Sequence, residues 1–151
     1  MNVRKVNKSV LLFTGVFLLV STSAWAVNRF RIDDGQLALG SSGNVVSVIA
    51  DIDQAIVGFS VALDFDPEKL RISEVRLGAE VAGLEPEFSQ GVIDNGRGEF
   101  VHGVVVSLSE TIIERRIAEG QDVELLQLVV DVVTEEPGST SLDLGNAAGF
   151  P

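Results

Sequence analysis

The chain has 151 residues and a mass of 16.1 kDa, the size of one domain, and its 46% hydrophobic and 22% charged residues are the balance of a globular fold. Its 11 Lys and Arg face 22 Asp and Glu, and the net charge of −11 disfavours nucleic acid and anionic lipid surfaces as partners. With no cysteine and one histidine, disulfides, thiolate metal sites, cysteine nucleophiles, lipidated cysteines and two-histidine metal centres are excluded.

The N-terminus reads as a targeting segment. Arg4, Lys5 and Lys8 precede an apolar run over residues 10–20, broken only by Thr14 and Gly15, and Ala24-Trp25-Ala26 supplies a small-x-small cleavage site. Residues 1–26 are therefore predicted to be a signal peptide, with residues 27–151 as the mature domain. The competing possibility, an uncleaved anchor, meets the objection that the run falls short of the roughly 20 apolar residues a spanning helix needs. Removing the leader leaves 125 residues with 8 basic and 22 acidic side chains, a net charge of −14. The only Trp leaves with it, and since the chain has no Tyr, the mature domain carries six Phe as its only aromatic rings apart from the histidine.

Period-2 alternation then recurs along the chain. Val46, Val48, Ala50 and Ile52 form one apolar row, and Val57, Phe59, Val61, Leu63 and Phe65 a clearer one, alternating with Gly58, Ser60, Ala62 and Asp64. Asp66-Pro67-Glu68-Lys69 reads as a tight turn with Pro presetting φ. Leu70 and Ile72 continue the alternation, but the phase slips before Val75 and Leu77, which predicts a β-bulge near Ser73-Glu74. Asp94-Asn95-Gly96 carries a hairpin signal. The nearly all-apolar stretch over residues 100–108 predicts a central strand covered on both sides. Thr111 and Glu114 stand in capping-box register ahead of Gly120, and Ile112, Ile113 and Ile117 have helical spacing, so residues 111–119 are expected to form a two-turn helix. Leu126, Leu128, Val130 and Val132 predict one more buried row, and Glu136-Pro137-Gly138 leads to a last short strand. About nine strands without βαβ alternation imply an all-β, two-sheet antiparallel sandwich with one short helix.

Few residues carry chemistry. His102 falls in register with Phe100, Val104 and Val106 and lacks a nucleophile motif, which fits a hydrogen-bonded strand histidine better than a general base. Carboxylate pairs are uninformative in so acidic a chain, and a small sandwich without Trp or Tyr offers little of a sugar cleft, so the protein is not expected to be an enzyme. Asp51 with Asp53, and Asp64 with Asp66, sit at strand ends where they are weak calcium candidates, but neither pair continues into an EF-hand loop. Solvated and turn-forming acids are the plainer explanation, and no cofactor is expected.

The run Gly58-Phe59-Ser60-Val61-Ala62-Leu63-Asp64-Phe65-Asp66-Pro67-Glu68-Lys69-Leu70 resembles the cohesin family, in which a Gly-Phe strand enters an aromatic-Asp-Pro-x-x-Leu turn. Asn95-Gly96 before Glu99-Phe100, the strand over residues 125–132, and Gly138-Ser139-Thr140-Ser141-Leu142 resemble later family features in the same order. The likeness spans about residues 36–144, the core of the domain. It implies a jelly-roll sandwich of nine strands, shared with related carbohydrate-binding modules, that acts as a scaffold module in extracellular polysaccharide-degrading systems by binding the calcium-loaded helices of dockerins. Cohesins carry an Asn/Asp pair on the outward face of the Gly-Phe strand; Gly58 and Ser60 stand at those positions here.

Together these observations predict a secreted or cell-surface module (a periplasmic location is also compatible) that binds a protein partner through a flat shelf of Gly58, Ser60, Ala62 and Asp64. Small side chains on such a shelf let a partner helix approach closely. A carbohydrate-binding module on the same fold is the alternative, disfavoured because flat polysaccharides are usually gripped by Trp and Tyr faces. No membrane contact is expected after signal cleavage.

Overall fold

The computed structural model describes residues 28–33, 35–108 and 115–145. Alternating apolar residues place eight strands there: β1 (Arg29–Ile32), β2 (Asn44–Ile52), β3 (Gly58–Phe65), β4 (Leu70–Leu77), β5 (Phe88–Asp94), β6 (Glu99–Val105), β7 (Gly120–Val132) and β8 (Leu142–Leu144). Among the described residues one short helix, α1 (Ala79–Gly83), follows β4. The strands form two four-stranded antiparallel sheets, ordered β1-β2-β7-β4 and β5-β6-β3-β8. The all-β sandwich expected from the alternation is present.

The core lies between the sheets. Val46, Val48, Ala50 and Ile52 of β2 meet Leu126, Leu128, Val130 and Val132 of β7 on one side, and Val61, Leu63 and Phe65 of β3 with Phe100 and Val104 of β6 complete the other. Full burial of a residue such as Leu63 or Leu128 contributes about 1.5–3 kcal/mol. The predicted β3 row is shorter than the pattern suggested, because Val57 lies ahead of the strand and is 46% exposed. The fold also begins before residue 36, since Phe30 and Ile32 of β1 pack against the core.

Two local expectations hold in detail. Asp66 closes its turn by accepting the Lys69 and Leu70 amides on its carbonyl and the Glu68 amide on its carboxylate. The β4–β7 register shifts between Ile72 and Glu74, so Ser73 is the bulged residue, and its hydroxyl donates to the Val129 carbonyl.

The expected helix over residues 111–119 does not appear in the part of that segment that is described. The first half of the predicted segment, residues 111–114, lies outside the described residues, and the rest is not helical: Ile117 is buried and forms an isolated bridge with Ile56. A two-turn helix has little stability of its own, so burial and pairing of one isoleucine outweigh its spacing signal. The short helix forms over residues 79–83, where Val81 is fully buried.

The hairpin expected at Asp94-Asn95-Gly96 joins β5 to β6, with a longer loop than the two-residue turn Asn-Gly favours. Asp94 pairs with Glu99, leaving residues 95–98 in the loop, and the left-handed residue is Gly98 at φ +70°. A side chain there would strike the Phe65 carbonyl. Asn95 is diverted to the other sheet, where its amide oxygen accepts the Ile72 N–H and its nitrogen donates to the Ile72 carbonyl, both at 2.9 Å.

Candidate protein-interaction face

Strand register decides which side chains share the outer face of the β5-β6-β3-β8 sheet. Residues directly opposite in an antiparallel pair point the same way. Since Val61, Leu63, Phe100 and Val104 point inward, the intervening residues point out. On β3 these are Gly58, Ser60, Ala62 and Asp64, opposite Val105, Gly103, Val101 and Glu99 of β6. Those in turn face Phe88, Gln90, Val92 and Asp94 of β5. The four residues of the expected shelf are thus brought together on one uncovered face, as alternation required.

Beyond the shelf the face has two further parts. Its apolar part comes from β5 and β6: Phe88 is 42% and Val92 57% exposed, while Val101 and Val105 are half-buried. The Phe88 ring leans over Gly103, lying 3.5 Å from where a Cβ at that residue would stand. The expectation of a β6 covered on both sides is corrected here. β6 is interior in the sheet, but its outer row has no layer above it among the described residues. Phe88, Gln90 and Val92 escaped the sequence analysis because their alternation is weak and Gly91 interrupts it.

The other part is a row of carboxylates. Asp94 faces Glu99, Glu99 faces Asp64, and Asp64 faces Asp143 of β8, so one acid from each strand crosses the sheet. Arg97 pairs with Glu99 at 2.9 Å. Ser141 donates to Asp143 at 2.6 Å, and the Gly96 and Arg97 amides donate to Asp94. Asp64 is exposed, and none of the described ion pairs engages it.

The remaining candidates resolve into structural roles. His102 lies on the inner side of β6, shares a 3.0 Å hydrogen bond with Ser89 Oγ through Nε2 and stacks on Phe100 at 6.1 Å. Partial burial pushes its pKa below the ordinary imidazole value. Of the calcium candidates, Asp51 is bound by Arg31 at 2.9 Å, and Asp66 serves its turn with Lys69 at 3.7 Å. The Asp53 amide donates to the Asn28 side chain. No three His, Asp or Glu side chains among the described residues are grouped to hold a metal ion. A crevice of about 660 Å³ opens between residues 35–39 and 134–143 over Leu37, Val46, Leu70 and Val132, and no aromatic ring among the described residues lines it.

An all-β sandwich of two four-stranded sheets, with an apolar and acidic outer face on β5-β6-β3-β8, is the class of protein these features define. No family model matches the sequence and no curated protein matches it significantly, but solved structures do. One is a chain of a type I cohesin–dockerin complex from Clostridium thermocellum, with TM-score 0.60 and 17% identity over 75% of this chain and 78% of that one. Another belongs to the third cohesin ScaC in complex with the ScaB dockerin from Acetivibrio cellulolyticus, at TM-score 0.53, 15% identity, and 72% and 80% coverage. The second type II cohesin module from the adaptor ScaA scaffoldin of Acetivibrio cellulolyticus matches at TM-score 0.52 and 12% identity, over 83% of this chain and 74% of that module. The chain has the cohesin fold.

Proposed function

We propose that residues 27–151 form a secreted, non-catalytic protein-interaction module of cohesin type, and that a helical, dockerin-like module docks on the outer face of β5-β6-β3-β8. The observation that carries this is the bare face itself. Ser60 and Ala62, with Gly58 beyond them, leave room for a helix backbone to approach, and Phe88 and Val92 offer apolar area beside them. The neighbouring cohesins, solved in complex with dockerins, support the class of partner. The leader at residues 1–26 supports export, which suits a scaffold in extracellular polysaccharide-degrading or cell-surface assemblies.

Ser60→Arg tests the face. Ser60 is exposed, so a long cationic side chain there should preserve the fold while obstructing the shelf. Binding to a panel of calcium-loaded dockerin modules should fall at least tenfold for any module the wild type retains, a loss on the scale of a hot-spot disruption. Unchanged affinity would move the interface to the loops. Retention on cellulose, chitin or xylan is not expected, because the face offers Phe88 as its one aromatic ring among the described residues.

A further inference from the structure

Resting on that docking face, we infer that it is polar along the strands and accepts its partner helix in one orientation only, with cationic side chains over the carboxylate row and apolar ones over Phe88. The outer positions form successive rows two residues apart. The first holds Asp94, Glu99, Asp64 and Asp143; the second Val92, Val101 and Ala62; the third Gln90, Gly103 and Ser60; the last Phe88, Val105 and Gly58. Three row steps span about 20 Å, the length of about 13 helical residues. A helix laid along the strands therefore reaches both ends.

Those ends differ in kind. Among the described residues, no strand of this sheet carries a Lys or Arg, so the acids receive no cation from the strands, and the Arg97 guanidinium in the turn pairs with Glu99. Placing like charges directly opposite one another across strands is unfavourable. A docked Lys or Arg over Asp64 relieves that repulsion, whereas an apolar or acidic end there would bury carboxylates without a partner. At the opposite end Phe88, lying over Gly103, presents apolar surface that an apolar side chain covers without loss, whereas a cation there gives up hydration and the carboxylate row in exchange for a weak cation–π contact. A helix turned end for end meets both penalties at once. Complementary charge fixes register and orientation in this way.

Selection from a displayed three-helix scaffold library, with one helix face randomised and the full chain as bait at low salt, tests orientation separately from the face. The expected clones lose binding to Ser60→Arg and concentrate Lys and Arg at one end of the helix. The double variant Asp64→Asn/Asp143→Asn should weaken those clones about three- to tenfold and flatten their salt dependence. Since the chain has no cysteine, a nitroxide on Glu68→Cys, exposed in the turn that follows the acidic end of β3, should broaden resonances most strongly at the cationic end. Clones that Ser60→Arg displaces, but whose cations lie at both ends or which ignore the Asn pair, would overturn the polarity and leave the face standing. A selection yielding no clone that Ser60→Arg displaces would remove the face itself, and the polarity with it.

Discussion

The two outer faces of the sandwich treat charge in opposite ways. On β1-β2-β7-β4, Arg31 engages Asp51 and Asp122, and Arg76 forks onto Glu74. Glu124 accepts from Ser47 and Gln127, and Asp131 accepts the Gly43 amide at 2.8 Å. Every Lys or Arg that lies on a described strand lies on β1 or β4 of this sheet. The β5-β6-β3-β8 sheet has none, and its outer face sets a carboxylate row beside bare valines and Phe88. Net charge is therefore a poor guide to this protein's partners, because one acidic domain holds a self-neutralised face and an unneutralised one. The second face is the one whose charges remain available to another molecule.

The contrast breaks first if the β5-β6-β3-β8 sheet is as tolerant inside as outside. Phe100→Ala on its inner side should cost about 3–5 kcal/mol, read as a lower urea midpoint, because Phe100 is fully buried. Val92→Ser on the outer side should change stability by less than about 1 kcal/mol while weakening the docked partner. Comparable losses from the two would mean that the outer face is packed in solution.

Neutralising one charge on each face sharpens the comparison. Arg31→Ala should destabilise by about 1 kcal/mol at low salt, since it strands Asp51 and Asp122, and less at high salt, because the pair is partly exposed. Asp64→Asn should have the opposite sign, a gain of a few tenths of a kcal/mol, because it removes a carboxylate standing between Glu99 and Asp143. A loss of stability in Asp64→Asn would show that the row is satisfied within the domain.

The smallest effect concerns pH. Burial holds the His102 pKa below its ordinary 6.5, so on acidification the unfolded chain takes up a proton before the folded one does. Stability should decline as pH falls from about 6.5 through the lower folded value, and the decline should be complete below it. His102→Gln should lack that component when melting temperatures of the two proteins are compared between pH 7 and 5. Identical pH profiles would show that the Ser89 bond serves both protonation states equally.

Features set by a few neighbouring residues were legible in the sequence: the inward row Val61, Leu63 and Phe65 with its small outward counterpart, the slip at Ser73, and the turn at Asp66. Alternation, a phase slip and proline's fixed φ act within a strand or a turn, so their physics is local. The resemblance to cohesins, carried by the Gly58 to Leu70 run, gave a fold that the solved structures share. Gly58, Ser60, Ala62 and Asp64 were recognisable as one row, but what lies beside them was not. Asp94, Glu99 and Asp143 join Asp64 only because three antiparallel registers bring distant strands into line. Phe88 is exposed because β5 is an edge strand, a position no local pattern states. Ile117 paired with Ile56 where its own neighbours suggested a helix. Strand alternation decides which side of a sheet a residue takes; only the pairing of strands, whose contacts are non-local, decides which residues it meets there.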